Sequence, residues 1–156
     1  MKKNKSKKMI KICLACSAGG HLTELSQLKS IWKSRKHYWV SDARSNAIEL
    51  SRKEEVYFVT VPSKNPLKLA KNIAESFAIF LRKNPDIVIS TGADVAVPTC
   101  LIAKALGKKV IYIESFAAVF KPSESGKIMS KNADLFFYQW KQLAKYYPKG
   151  KYGRVL

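Results

Sequence analysis

The chain has 156 residues, 47% of them hydrophobic, which is enough to fold around a core of its own. Lys and Arg number 29 against 11 Asp and Glu, and the net charge of +18 favours anionic lipid, a phosphate-bearing substrate or nucleic acid as a partner. No apolar run reaches the roughly 20 residues of a membrane-spanning helix, and the basic start shows no convincing signal-peptide cleavage site. We expect a basic tail over residues 1–8 and one domain over 9–156.

Apolar runs alternate with helical patterns along the chain. In order, the expected elements are a strand at 9–16, a helix at 21–35, strands at 37–41 and 56–61, a helix at 65–83, a strand at 86–91, a helix at 95–107, a strand at 109–115, an irregular stretch to about residue 130, a strand within 133–140 and a short last helix. Strands separated by helices indicate βαβ units. The predicted fold class is α/β, a Rossmann-like parallel sheet with helices on both faces.

Two of the three cysteines form a C-x-x-C pattern, Cys13 and Cys16, which can indicate redox or metal chemistry. Within a strand, however, residues three apart point to opposite faces of the sheet. The pattern therefore predicts two buried core thiols, and we expect no metal site.

The segment "SAGGH", residues 17–21, follows the first strand. Gly19 and Gly20 allow a tight turn and a close approach of a ligand to the backbone. The N-terminus of the following helix offers free N–H groups to a phosphate or a developing anion. His21 lies in the first turn, where it is a candidate base, although a simple helix-capping role is the alternative.

Two further loops follow the fourth and fifth strands, and the carboxyl ends of parallel strands meet at one edge of the sheet, where such folds bind ligands. The first of these loops contains Ser90, Thr91, Gly92 and Asp94. We interpret Asp94 as a helix cap rather than a ligand contact. The second begins with Glu114 and Ser115, and the strand-end carboxylate is suited to hold sugar hydroxyls or to orient a donor.

Five segments occur in the order and spacing of one family. They are SAGGH (17–21), STGADVAVP (90–98), VIYIES (110–115), KPSESGK (121–127) and ADLFFYQW (133–140). The chain resembles the Alg14 family, the acceptor-side subunits of split GT-B glycosyltransferases, and within it the bacterial PssD and EpsE type of capsule and exopolysaccharide synthesis. The arrangement is also similar to the N-terminal half of MurG.

The resemblance implies that this chain is the N-terminal Rossmann-like half of a GT-B enzyme, which binds a polyprenyl-diphosphate-linked acceptor. A separate subunit, encoded nearby, would bind the UDP-sugar donor, and no other cofactor is expected. His21 and Glu114 match the catalytic positions. The acceptor-loop positions are matched by Ser17, Gly19, Gly20, Ser90, Thr91, Gly92 and Ser115. Where the family pattern predicts an arginine, this chain has Ala118, and the transmembrane helix of eukaryotic members is replaced by basic residues.

Two other classes of function remain open. A solitary nucleotide-sugar-binding Rossmann protein would bind a UDP-sugar tightly by itself. A basic nucleic-acid-binding module is allowed by the charge, but the basic residues are scattered and no recognition motif is present. A complete GT-B enzyme needs two such domains, and this chain supplies one, so activity is expected only with the partner.

The basic tail predicts peripheral attachment to the cytoplasmic face of the membrane, through the anionic lipid surface. The lysines concerned are Lys2, Lys3, Lys5, Lys7 and Lys8. On the 65–83 helix, the expected core face consists of Leu69, Ile73, Phe77, Phe80 and Leu81. Ile79 falls among polar residues of that helix and is the expected exposed membrane anchor.

The C-terminal region, residues 135–156, is rich in aromatic residues, which are favoured at the cores of protein interfaces. We interpret Phe136 and Tyr138 as core strand residues. Trp140, Tyr146 and Tyr147 are the expected contacts with the donor-binding subunit.

Overall fold

Seven parallel strands form one sheet in the computed structural model, which describes residues 9–155. In chain order the elements are β1 (Lys11–Cys16), α1 (Gly20–Gln27), α2 (Lys29–Trp32), β2 (Lys36–Ser41), α3 (Ser45–Leu50), β3 (Val56–Phe58), α4 (Pro66–Lys83), β4 (Ile87–Gly92), α5 (Val97–Ala105), β5 (Lys109–Ile113), α6 (Glu124–Asn132), β6 (Leu135–Tyr138), a 3-10 turn (Lys141–Leu143) and β7 (Lys151–Tyr152).

The strand order is β3-β2-β1-β4-β5-β6-β7, so β1 and β4 are neighbours although they are distant in sequence. The chain moves outward from β1 to β3, returns through α4, and then moves outward again from β4. The order therefore reverses between β1 and β4, which is where open α/β sheets bind their ligands. Cys16 at the end of β1 pairs with Gly92 at the end of β4, so the loops that follow these two strands lie side by side.

Different helices cover the two faces of the sheet. On the first face, α4, α5 and α6 pack through residues such as Phe80 and Cys100, and Phe136 lies in the same core, as expected. On the second face, α1, α2 and α3 pack through residues such as Leu25 and Trp32. Burial on both faces explains the nearly continuous apolar runs of the strands. The predicted α/β class with helices on both faces is confirmed.

All three cysteines are unpaired and buried. Cys13 belongs to the core of the first face and Cys16 to that of the second, as their spacing predicts. Burial raises the pKa of Cys13 and of Cys100 to about 12, so the thiols stay protonated at neutral pH. Between residues 9 and 155, no group of His, Cys, Asp or Glu side chains is arranged to hold a metal ion.

Several element boundaries differ from those expected. The single helix expected at 21–35 is two helices, α1 and α2, separated at Leu28. The stretch expected to be irregular up to about residue 130 contains α6, whose N-cap Ser123 accepts a hydrogen bond from the Gly126 N–H at 2.9 Å. The last expected helix is only a 3-10 turn, and neither α3 nor β7 was expected.

The apolar face of α4 points away from the core, contrary to expectation. Leu69, Ile73, Phe77 and Leu81 are 41%, 44%, 43% and 61% exposed. Asn72 and Ser76 are buried in their place. The Asn72 amide donates to the carbonyl oxygens of Thr60 and Val95 at 2.7 and 3.1 Å, so its burial leaves its two N–H groups satisfied.

Ile79, expected as the exposed anchor on α4, is half-buried and packs against the core of the first face. This expectation was wrong for the same reason: the polar side of α4 faces inward. Within the described residues, no helix is long and apolar enough to cross a membrane. The five lysines expected to contact lipid, at positions 2, 3, 5, 7 and 8, lie outside the described residues.

Candidate functional site

The glycine loop after β1 is fixed by side chains from the segment after β2. The Ala18 N–H donates to the Asp42 carboxylate at 2.7 Å, and the Gly19 N–H donates to Asn46 Oδ1 at 3.0 Å. Gly19 has a φ of 91°, a left-handed conformation that favours glycine. The N–H groups of residues 20–22, which precede the first bond of α1, are therefore the ones left to bind an anion.

His21 is held by two hydrogen bonds to β4. Its Nδ1 lies 2.7 Å from the Thr91 carbonyl oxygen, and the Thr91 hydroxyl donates to the His21 carbonyl at 2.7 Å. Because a carbonyl oxygen can only accept, Nδ1 carries the proton in this bond. In the neutral ring, Nε2 then has a free lone pair. The ring is half-buried and oriented, as a general base requires.

Gly92 lies beside the His21 ring and against Tyr112. Its φ is 108°, and a Cβ there would lie 2.5 Å from the Tyr112 hydroxyl oxygen and 3.6 Å from His21 Cε1. Ser90 and Thr91 are completely buried, so they shape this corner without contacting a ligand, which corrects their expected binding role. The Ser90 hydroxyl, for example, accepts from the Gly92 N–H at 3.0 Å.

Glu114, expected as a catalytic residue at the cleft, is completely buried under α6. Its carboxylate accepts hydrogen bonds from the Ser115 N–H at 2.9 Å, from the Ser123 hydroxyl at 2.7 Å and from the Tyr147 hydroxyl. A Cβ on Gly126 would collide with this carboxylate. Glu114 therefore holds the start of α6 in place, and its burial contradicts the expected position at the cleft.

The aromatic residues expected at the partner interface divide into three cases. Tyr147 is only 3% exposed and bonds to Glu114, so it is a core residue and the interface expectation was wrong for it. Trp140 is half-buried, and its indole N–H donates to the Phe116 carbonyl at 2.7 Å. Tyr146, 43% exposed, is available to a partner.

A buried carboxylate that the sequence reasoning missed lies one turn beyond His21. Glu24 accepts hydrogen bonds from the Phe116 N–H at 3.1 Å, the Ser115 hydroxyl at 3.3 Å and the Gln139 amide at 3.1 Å. Burial raises the pKa of Glu24 above its usual value, and these hydrogen bonds oppose the rise only in part. Glu24 thus joins α1 to the loop after β5 and to the end of β6. The available signal was an acidic residue on the apolar side of α1, next to Leu25.

An open crevice of about 810 Å³, lined by polar and apolar residues alike, lies at the carboxyl ends of β1 to β4. It is lined by Ser17, Asp42, Ala43, Arg44, Phe58, Val59, Thr60, Val61, Ser63, Glu75, Ala93, Asp94 and Val95. Of the expected loop residues, only Ser17 and Asp94 are in this lining, so the crevice lies beside His21 rather than over it. Asp94 was expected to cap a helix, but the N-cap of α5 is Ala96. The Asp94 carboxylate instead accepts a hydrogen bond from the Ser63 N–H at 3.1 Å.

Arg44 brings a cation to this crevice. Its side chain is 61% exposed, and its guanidinium donates to Asp42 and to the Ala18 carbonyl at 2.8 Å. Burial tends to raise the pKa of Asp42, but the hydrogen bonds from Arg44 and from the Ala18 N–H outweigh it and lower that pKa. Asp42 is therefore ionised at neutral pH and keeps Arg44 beside the glycine loop. Ala118, where the resemblance predicts an arginine, is half-buried in the loop after β5.

The fold matches solved structures of two enzymes over most of this chain. MurG from Acinetobacter baumannii has a TM-score of 0.70 at 16% identity, over 85% of this chain and 42% of that one. UDP-N-acetylglucosamine 2-epimerase from Rickettsia bellii has a TM-score of 0.72 at 15% identity, over 90% of this chain and 41% of that one. The chain thus spans about four-tenths of each enzyme, and at these identities the likeness establishes the Rossmann-like fold.

Sequence relatives define the family. The human protein named UDP-N-acetylglucosamine transferase subunit ALG14 is 30% identical over 180 residues, which cover 94% of this chain and 83% of the human one. A Flavobacterium psychrophilum protein named UDP-N-acetylglucosamine--N-acetylmuramyl-(pentapeptide) pyrophosphoryl-undecaprenol N-acetylglucosamine transferase is 29% identical over 86 residues, which cover 55% of this chain and 23% of that protein. The family described as "oligosaccharide biosynthesis protein Alg14 like" matches residues 12–156. The chain therefore belongs to the Alg14 family.

Proposed function

We propose that this chain is the acceptor-binding, membrane-associated subunit of a two-subunit glycosyltransferase that adds a sugar from a UDP-sugar to a polyprenyl-diphosphate-linked saccharide. The observation that carries this proposal is the oriented His21 at the point where the strand order reverses, in a chain of the Alg14 family. The human relative is named as a transferase subunit, and the Flavobacterium relative is named for a pyrophosphoryl-undecaprenol substrate. Capsule or exopolysaccharide synthesis is the pathway class that we propose.

In this reaction, His21 Nε2 accepts the proton of the acceptor hydroxyl while that oxygen bonds to the anomeric carbon of the donor sugar. The bond from that carbon to UDP breaks, and UDP leaves with the electron pair. The N–H groups of residues 20–22 and the Arg44 guanidinium supply positive charge for the acceptor diphosphate. The donor-binding subunit would hold the UDP-sugar and exclude water, since one half of a cleft can do neither.

A partly uncovered sheet face supports the second subunit. Within the described residues, no helix covers β5 and β6 on the second face, and residues 153–155 lie there instead. They border a shallow apolar groove of about 320 Å³ that includes Phe137 and Leu135, the latter 39% exposed. Parallel sheets are normally covered on both faces. We propose that the donor-binding subunit covers this groove and also contacts Tyr146.

The exposed apolar face of α4 supports peripheral membrane association. Phe77 and Leu81 project from a helix whose exposed cations include Lys68, Lys71 and Arg82. A helix with an apolar stripe flanked by basic residues lies well in an anionic bilayer surface. In our proposal this face rests on the cytoplasmic leaflet and replaces Ile79 as the anchor, together with the basic tail.

The experiment is a transfer assay with the purified chain, alone and mixed with the product of the neighbouring gene. UDP-N-acetylglucosamine, the donor named in the human relative, is assayed first against a polyprenyl-diphosphate-linked saccharide. We expect labelled sugar to reach the lipid only in the mixture. Equal transfer by the chain alone would contradict the split-enzyme proposal. Tight UDP-sugar binding by the chain alone would favour a solitary nucleotide-sugar-binding protein.

A further inference from the structure

A second groove of about 810 Å³ runs along the outer side of α5, between α4 and α6, and its walls are almost entirely apolar. Its apolar lining consists of Leu69, Ile73, Val97, Pro98, Leu101, Ile102, Ala105 and Ile128. A volume of this size is typical of sites that take a small organic molecule. The described residues do not close the groove from solvent. Large apolar side chains in its walls, such as Ile73 and Ile128, are therefore each 44% exposed.

One end of this groove is polar and adjoins the crevice of the candidate site. Its lining there comprises Pro62, Lys64, Asp94, Glu124 and Ser125. Asp94 lines both cavities. Along residues 61–64, alternate side chains line the two cavities: Val61 and Ser63 line the crevice, and Pro62 and Lys64 line the groove. The groove therefore continues the crevice across this short segment.

The direction of the groove follows from α5. This helix starts after the carboxyl end of β4 and runs back along the sheet, so its residues from 97 to 105 lead away from the candidate site. Eight helical steps correspond to about 12 Å. A ligand that enters at Lys64 and extends to Ala105 thus needs a charged end and an extended apolar body of that length.

We propose that this groove binds the first isoprene units of the acceptor's polyprenyl chain. The diphosphate then lies where the groove meets the crevice, with the exposed Lys64 on the groove side and Arg44 on the crevice side, and the saccharide extends into the crevice. This inference rests on the proposed function, because it takes a polyprenyl diphosphate as the acceptor. The polar end of the groove also carries two carboxylates, of which Glu124 is paired with Lys127 and Asp94 accepts a hydrogen bond from the Ser63 N–H. Lys64 and Arg44 would bind the anionic head, and the apolar walls fit the chain.

The test measures how the full chain binds isoprenoid diphosphates of increasing length by calorimetry, below the concentrations at which they aggregate. The probes are isopentenyl, geranyl and farnesyl diphosphate. We expect affinity to rise at least about tenfold from isopentenyl to farnesyl diphosphate, because each added unit buries apolar carbon. Leu101→Trp and Ala105→Trp fill the groove and should abolish most of this gain while leaving isopentenyl diphosphate binding unchanged.

Ile31→Trp is the control, since it introduces the same side chain at an exposed position of the shallow groove on the opposite side of the sheet, and the assay uses this chain without the donor-binding subunit. It should keep the chain-length dependence of the unmodified protein. Three results would overturn the inference: no dependence on chain length in the unmodified protein, an unchanged dependence in both groove variants, or a loss in Ile31→Trp alone. Ala105 is exposed, so its variant should fold even if Leu101→Trp does not.

The isoprenoid-binding experiment and the sugar-transfer assay can fail separately. If the mixed subunits transfer sugar but the chain binds all three diphosphates equally, the groove proposal fails and the proposed function stands. If affinity rises with chain length but no donor or partner yields transfer, the groove stands as an isoprenoid-diphosphate site and the transferase proposal fails.

Discussion

His21 of α1 and Gly92 of β4 are neighbours at the carboxyl edge of the sheet, but they are fixed by different contacts. The His21 ring bonds to the Thr91 carbonyl, and a Cβ on Gly92, the next residue, would meet the ring only at ordinary contact distance. The same Cβ would collide with the Tyr112 hydroxyl. Substitutions at these positions should therefore separate chemistry from stability.

Replacing His21 by alanine should lower transfer by the assembled enzyme roughly 10²- to 10⁴-fold, the usual range for a general base. His21→Asn is the sharper variant. The asparagine amide N–H can still donate to the Thr91 carbonyl, but the side chain has no basic nitrogen in place of Nε2. Both variants should unfold at nearly the same denaturant concentration as the unmodified chain. A His21→Asn enzyme with normal turnover would remove the base role.

Gly92→Ala should destabilise the fold by about 1–3 kcal/mol, since it combines an unfavourable φ with a collision against Tyr112. Tyr112→Phe in the same chain should restore part of this loss, because it removes the hydroxyl that the new Cβ meets. Gly20→Ala is the control: nothing lies within 4 Å of a Cβ there, and alanine is the better helix residue. Denaturant unfolding of the four proteins tests this, and equal losses at Gly20 and Gly92 would contradict it.

Helix α4 shows most clearly how an element departs from its sequence pattern. Apolar residues four apart normally mark a core face. Here Asn72 and Ser76 face the core instead, where the Ser76 hydroxyl donates to Asn72 Oδ1 at 3.1 Å and accepts from the Thr99 hydroxyl at 3.1 Å. A satisfied polar network makes this burial tolerable and leaves the apolar stripe free for another surface.

Phe77→Ser and Leu81→Ser should each weaken binding to anionic vesicles about tenfold, because each removes an apolar side chain from the bilayer surface. Stability should change little, since both side chains are exposed. Ile79→Ser should do the reverse and lower stability while vesicle binding by the folded protein is retained. Vesicle flotation with and without anionic lipid measures this, and full binding by a Phe77→Ser/Leu81→Ser double variant would exclude α4 as the anchor.

The sequence predicts the sheet well because each strand is a local apolar run that must be buried on both faces. It also predicts that the 17–21 and 90–92 loops meet, since the carboxyl ends of parallel strands share an edge. It does not predict the surroundings of Glu114, which are set by α6 and by Tyr147, a residue 33 positions away. The contacts of Glu24 with Gln139 span 115 positions, and no local pattern encodes them.

At the scale of the whole molecule, the two sides of the sheet serve different partners in the proposed function. The α4 side carries the apolar stripe and the second groove, whereas the opposite side carries the shallow groove at Leu135 and Phe137. A subunit bound at the second side would leave the first side free to face lipid. The carboxyl ends of the strands, with His21, lie between the two.

Leu135→Asp should weaken assembly with the donor-binding subunit at least about tenfold, because it places a charge in the groove that the partner would cover. Leu67→Asp makes the same change on α4, at a residue 82% exposed, and should assemble normally. Both chains should remain folded, since both positions lie at the surface. Co-purification with titrated partner measures this, and equal assembly by both variants would place the interface elsewhere.

The buried thiols have a practical consequence for spectroscopy. The sequence has three cysteines, and all are enclosed, with burial holding the pKa of each above its ordinary value. Maleimide dyes attack thiolates, so the native protein should remain unlabelled at neutral pH. A single new cysteine at Leu67 or at Leu135 would then carry the dye alone. Its emission would report lipid contact from the first position and subunit contact from the second, in the same mixture and without any background label to subtract.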